Sequence, residues 1–163
     1  MNKIVDLKGL CAAIKELKSQ GKKIAATSGC FDILHAGHVM YLKQAKDLAD
    51  ALVVMLNSDS SVRGLKGPER PIVPQDERAQ VLAALGCVDY VCLFDEPTPC
   101  PAYAQFRPDI IAKGGDYKGK HIPEMDAAAA WGGKLVYVDL LEGRSTTNII
   151  EKIKALAKKE AAE

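Results

Sequence analysis

The sequence has no long apolar run: nowhere in its 163 residues does a stretch approach bilayer-spanning length, and the opening residues lack the apolar core of a signal peptide. A cytoplasmic protein with no membrane partner is expected. Charge excess is also missing. With 22 basic residues against 21 acidic ones, a net charge of +1, the overall field gives no reason to expect nucleic acid as a partner, so any phosphate binding has to be local. The five cysteines are odd in number and show neither a C-x-x-C pair nor zinc-ligand spacing, which fits a reducing compartment. Histidines are scarce, three in all, with His121 remote from the other two, so a zinc site would be short of ligands and no metal site is expected. The absence of G-x-x-x-x-G-K-S/T excludes a P-loop protein, and no acid pair or serine triad is apparent. No repeat or low-complexity tract interrupts the chain, and its length suits a single domain over 1–163, with an N-terminal helix in 1–21 and an α/β core plus C-terminal helix in 22–163.

What is present is an alternation of strand-like and helix-like segments. Leu10, Ala13, Ile14 and Leu17 mark one face of a helix over 7–19 that Gly21 ends. Strands are predicted over 24–28, 51–56, 90–94, 109–112 and 135–138, and helices over 37–50, 75–85, 102–106, 124–131 and from about residue 145. In the helix over 75–85, Val81, Leu82 and Leu85 are read as inward, and in the last helix Ile149, Ile150, Ile153 and Leu156 form the apolar face. The run Leu52-Val53-Val54-Met55-Leu56 is apolar without alternation, as in a strand covered on both faces. The alternation predicts a doubly wound, mainly parallel five-stranded α/β sheet flanked by helices, in which ligands bind beyond the carboxyl ends of the strands where the chain reverses direction across the sheet.

Three segments then fall at strand ends. Ser28-Gly29-Cys30-Phe31-Asp32 leads to His35-Ala36-Gly37-His38 at a helix mouth, where free N–H groups, the helix dipole and two imidazoles attract an anion and Gly37 lets the backbone come close. Lys113-Gly114-Gly115-Asp116 follows the fourth strand, and Asp116 is placed to accept from a base or ribose. Arg144-Ser145-Thr146 follows the fifth and offers a second capped helix end beside a cation. The segment 57–71, with Arg63, Lys66 and Arg70, reads as a basic loop able to close as a lid. Taken singly, each segment also fits a plain turn, an ordinary cap or a solvated loop. Cys30 lies within the histidine segment, but no acyl-transfer constellation surrounds it. Many phosphate donors and no obvious general base suit nucleotidyl transfer onto a phosphate: a monoester with a second pKa of about 6 is already largely ionised, so catalysis reduces to alignment and charge stabilisation.

The segment from Gly29 to His38, with Phe31-Asp32 and His35-x-Gly-His38, resembles the signature of the nucleotidyltransferase superfamily that includes cytidylyltransferases and pantetheine-phosphate adenylyltransferase. Asn57-Ser58-Asp59, Leu65-Lys66-Gly67 with Arg70-Pro71, Lys113-Gly114-Gly115-Asp116-Tyr117 and Ser145-Thr146-Thr147-Asn148 resemble the adenylyltransferases of ADP-heptose synthesis, which join ATP to D-glycero-β-D-manno-heptose 1-phosphate with release of pyrophosphate. The resemblance implies a Rossmann-like nucleotidyltransferase fold, with His35, His38, Lys66 and Arg144 as catalytic groups. It assigns the nucleotide to Ser28, Gly29, Phe31, Gly37, Lys113, Gly114, Asp116, Ser145 and Thr146, and the acceptor to Asp32, Asn57, Asp59 and Arg70. It further implies Mg²⁺ with the ATP and a homodimer, with 97–106 as a candidate interface by analogy. Leu140 stands where glycerol-phosphate cytidylyltransferases usually carry an arginine, which disfavours the alternative reading with CTP and glycerol 3-phosphate. A nucleotide-binding module without turnover is the remaining alternative. The family's enzyme is fused in many bacteria to a sugar kinase, for which 163 residues leave no room, so a separate kinase and phosphatase are expected upstream.

Overall fold

In the computed structural model, which describes residues 2–161, every predicted strand and helix is present, with ends shifted by a few residues at most. The strands are β1 (Ile24–Gly29), β2 (Ala51–Asn57), β3 (Tyr90–Phe94), β4 (Ile110–Gly114) and β5 (Lys134–Val138). The helices are α1 (Leu7–Ser19), α2 (Ala36–Asp47), α3 (Asp59–Lys66), α4 (Gln75–Ala84), α5 (Cys100–Phe106), α6 (Pro123–Ala130) and α7 (Thr146–Glu160), with a 3₁₀ turn at Gly115–Tyr117. All five strands are parallel, in the order β3-β2-β1-β4-β5. The chain winds outward in one direction through β2 and β3 and in the other through β4 and β5, so the switch point lies between β1 and β4.

Two apolar layers hold the sheet. On one face Ala26, Val53, Met55 and Ile111 pack with Leu10 and Ile14 of α1, Tyr103 of α5 and Ala128 of α6. On the other, Ala25, Leu52, Val54, Leu56 and Ala112 pack with Tyr41 and Leu42 of α2 and Leu82 of α4. Every residue of β2 is buried, as its unbroken apolar run requires. Each large side chain buried there contributes about 1.5–3 kcal/mol relative to exposure.

Three expectations change. The segment 57–71 is not a plain loop, because Ser58 accepts a hydrogen bond from the Ser61 N–H at 3.2 Å and caps α3. In α4 the buried positions are Arg78, Ala79 and Leu82, while Val81 faces outward. Along α7, Ile149 and Ile150 are half-buried, whereas Ile153 and Leu156 are exposed. Within 97–106, Ala102, Tyr103 and Phe106 are buried in the chain's own core, while Pro97, Pro101, Ala104 and Gln105 are exposed.

Candidate active site

A cavity of about 700 Å³ opens at the carboxyl ends of the strands, over the switch point. Ser28, Gly29, Phe31, Asp32, His35, Gly37, His38, Asn57, Lys66, Arg70, Lys113, Gly114, Asp116, Arg144, Ser145 and Thr146 all line it. Of the site residues expected from sequence, Asp59 alone is absent from its wall.

The histidine segment is shaped by close packing. β1 ends at Gly29, where a Cβ would lie 2.9 Å from the Phe31 ring, so a larger residue would displace that ring. Phe31 itself holds φ at +44°, a conformation few non-glycine residues adopt, and sets its ring edge-on to His38 with centroids 5.3 Å apart. His35 is the N-cap residue of α2, and its ring stacks on His38 at 3.9 Å. At Gly37 a Cβ would meet the His35 ring at 3.0 Å and the Arg144 Cβ at 3.3 Å, so the glycine admits the folded-back imidazole and the α7 entry together.

Nδ1 and Nε2 of His35 and Nδ1 of His38 are buried without a hydrogen-bond partner among the described residues. Burial, and then the neighbouring His35, push the His38 pKa down to about 4. Burial, and then Arg144, lower that of His35. Both rings are therefore neutral near pH 7, and their open nitrogens are the imperfection an anionic ligand would relieve.

α7 supplies the facing wall. Ser145 caps it by accepting from the Asn148 N–H at 3.1 Å, and Thr146 Oγ1 donates to the Ile33 carbonyl at 3.4 Å, tying the helix entry to the histidine segment. The N-termini of α2 and α7 thus converge beside Arg144.

The acidic side chains divide sharply. Asp32 touches the cavity wall, yet its carboxylate is fully buried and both oxygens are occupied. It accepts from Arg70 Nε at 2.6 Å and from the Ile72 and Val73 N–H groups at 2.8–3.0 Å. Burial raises its pKa, but these donors outweigh that effect and hold it below the usual carboxylate value. Asp32 therefore fastens 70–73 to the histidine segment. Asp59 is likewise structural, paired at 2.7 Å with Arg78. That arginine, 1% exposed, also donates to the carbonyls of Val73, Cys30 and Asn57 and so clamps three site-bearing segments together. Asn57 gives its amide to Ser61 Oγ at 2.9 Å.

On the other side of β1 and β4, Lys113 Nζ lies 2.6 Å from Glu124 and donates to Ser28 Oγ at 3.3 Å. Neither Arg78 nor Glu124 stood out in the sequence, since a charged residue on a helix is ordinarily solvated and only the fold buries these two. Burial raises the Cys30 pKa against the lowering by nearby Lys66, Arg78 and Arg70, which leaves a thiol and no activated nucleophile. No group of three His, Cys, Asp or Glu among the described residues is gathered to hold a metal ion. No helix of the described residues is long and apolar enough to cross a membrane.

The same arrangement has relatives. The chain is 50% identical over 151 residues to the Bifunctional protein HldE of Geobacter metallireducens, covering 93% of this chain and 31% of that protein. It is 52% identical over 136 residues to the protein of that name from Syntrophotalea carbinolica, covering 83% and 28%. The chain thus spans under a third of the length of these relatives. The crystal structure of the lipopolysaccharide core biosynthesis protein from Thermoplasma volcanium matches with a TM-score of 0.62 at 31% identity, over 76% of this chain and 100% of that one. A family model described as Cytidylyltransferase-like matches residues 26–152, from within β1 into α7. Because that match takes in every loop bordering the cavity, from the histidine segment to the α7 entry, the chain belongs to the cytidylyltransferase-like family.

Proposed function

We propose that the chain transfers the adenylyl group of ATP to a sugar 1-phosphate, D-glycero-β-D-manno-heptose 1-phosphate, releasing pyrophosphate and forming ADP-heptose. The observation that carries nucleotidyl transfer is the stacked His35–His38 pair, whose ring nitrogens lack partners at the meeting of two helix N-termini and Arg144. The choice of heptose rests on the motif resemblance and is supported by the relatives named HldE.

In this reading His35, His38, Arg144 and the capped entry of α7 at Ser145 and Thr146 take the polyphosphate. Lys66 and Arg70 approach from the α3 side, and Gly114 and Asp116 take the nucleoside. The acceptor phosphate, ionised near neutral pH, attacks the α-phosphorus in line while the P–O bond to pyrophosphate breaks. No base is needed. Charge building on the α-phosphate and the leaving group meets these preorganised donors. Mg²⁺ would arrive as the counter-ion of ATP, since it keeps most of its ligands from phosphate and water. Asp116, exposed at the cavity wall and in none of the ion pairs among the described residues, is the carboxylate able to approach it. A cytoplasmic setting and a homodimer belong to the same proposal.

Leu140 favours ATP over CTP. It packs against Gly114, where a Cβ would lie 3.1 Å from its Cδ1, and so gives the nucleoside side of the cavity an apolar wall instead of an arginine's donors. The test incubates the protein with Mg²⁺, heptose 1-phosphate and each nucleoside triphosphate in turn, following pyrophosphate. ADP-heptose from ATP in preference to CTP is the expected result; turnover of CTP with glycerol 3-phosphate instead would replace this reading, and ATP binding without pyrophosphate release for any sugar phosphate would leave a binding module.

A further inference from the structure

The sheet edge that floors the cavity also divides it. Side chains alternate along a strand, and the two core layers fix which way each one points. Ala112 packs on the α2 side, so Gly114, two residues on, belongs to that side, with Leu140 against it. Ala26 and Ile111 pack on the α5 and α6 side, so Ser28 and Lys113 belong there, and Lys113 accordingly reaches Glu124 of α6. The α2 half of the cavity therefore carries the two imidazoles, the Arg144 cation and, against Gly114, the exposed Asp116 carboxylate. The other carries a cation already neutralised by a buried carboxylate.

A buried ion pair loses water from both members and recovers that loss only when its remaining lone pairs and N–H groups are bonded. Here the contact engages Oε1 of Glu124, and Lys113 gives a second bond to Ser28. Among the described residues Oε2 has no hydrogen-bond partner, and the ammonium, 5.2 Å from the centroid of the Tyr117 ring, has no third oxygen partner, in the cavity that both residues line. A hydroxyl, which donates and accepts, suits that pair. A second phosphate does not, because Glu124 opposes its charge. In-line displacement places the incoming oxygen opposite the leaving pyrophosphate; with pyrophosphate on the His35, His38 and Arg144 side, the acceptor comes from the half that holds Lys113.

We propose that this second half receives the polyol body of the acceptor and that Glu124 is a specificity-determining residue, accepting hydrogen bonds from ring hydroxyls while Lys113 donates to a neighbouring one. The inference rests on the adenylyl-transfer reading above and moves Lys113 and Ser28 from the nucleotide to the acceptor.

The test compares the full chain with Glu124→Gln and Glu124→Asp, using ATP, heptose 1-phosphate and its monodeoxy forms. A charged hydrogen bond of this kind corresponds to about ten- to a hundredfold. Glu124→Gln is expected to raise the acceptor KM by that factor and leave the calorimetric ATP affinity within about twofold. In the unmodified enzyme one monodeoxy acceptor should be penalised similarly, and the penalty should shrink in the variant. Glu124→Asp, which keeps the charge beside Lys113, supplies the same comparison should the glutamine variant not fold. A rise in the ATP KM alone, or a lower melting temperature with an unchanged acceptor KM, overturns the inference while adenylyl transfer stands. No turnover of any sugar 1-phosphate by the unmodified enzyme overturns both.

Discussion

His38 concentrates the residue-scale argument. Its ring is held by Phe31 on one side and His35 on the other, with its pKa pushed down to about 4 by burial. His38→Ala is expected to lower kcat by about 10²–10³, the effect of losing one preorganised donor to a transition-state oxyanion; single-turnover pyrophosphate release measures it, and an unchanged kcat would remove His38 from the mechanism. The sign of the pH dependence follows from the same burial. The free protein holds both rings neutral near pH 7, whereas a bound polyphosphate favours imidazolium and raises both pKa values, so the complex binds more protons than its components. ATP affinity should therefore rise as pH falls from 8 towards 6. Calorimetry in buffers of different ionisation enthalpy should show net proton uptake that decreases in His38→Ala.

At the scale of elements, α4 matters most to the site without entering it. Arg78, one turn into that helix, joins the Cys30 carbonyl after β1, the Asn57 carbonyl at the end of β2, the Val73 carbonyl and the Asp59 carboxylate at the start of α3. Arg78→Met is expected to cost on the order of 3–5 kcal/mol, since it strands buried acceptors and a partly buried carboxylate. Denaturant unfolding followed by circular dichroism would check this, and a change below about 1 kcal/mol would show the clamp to be dispensable. Apolar periodicity does not mark the buried face of this helix, because Val81 is apolar yet exposed while the charged Arg78 is buried. A similar inversion applies to Asp32 and Asp59: both lie in motifs that read as acceptor-facing, and both are consumed by arginines whose proximity depends on how 57–78 folds back.

At the scale of the whole molecule, the cavity exists because β1 and β4 are neighbours, which brings the loops after β1, β4 and β5 to one edge. A ligand that spans those loops binds the folded chain alone and stabilises it by mass action. ATP at about 100 times its dissociation constant should add about 2.7 kcal/mol to the unfolding free energy, and CTP at equal concentration less. Thermal unfolding with each nucleotide reads the difference, and an equal or larger shift with CTP would argue against adenine preference.

Local pattern was enough for the α/β class, for the strands and helices apart from α3 and the 3₁₀ turn, and for the strand-end segments that line the cavity. Alternation of apolar runs, capping residues and glycines at strand ends are properties of neighbouring residues, and the sequence states them directly. Tertiary structure decided which carboxylates are free. It buried Asp32 against Arg70, paired the half-buried Asp59 with Arg78, set Glu124 beside Lys113, and stacked two imidazoles with three of their nitrogens buried and unpartnered. Those outcomes depend on contacts between residues up to dozens of positions apart, made only once the sheet order is set, and no local spacing encodes whether a charge will meet water, a partner or a ligand.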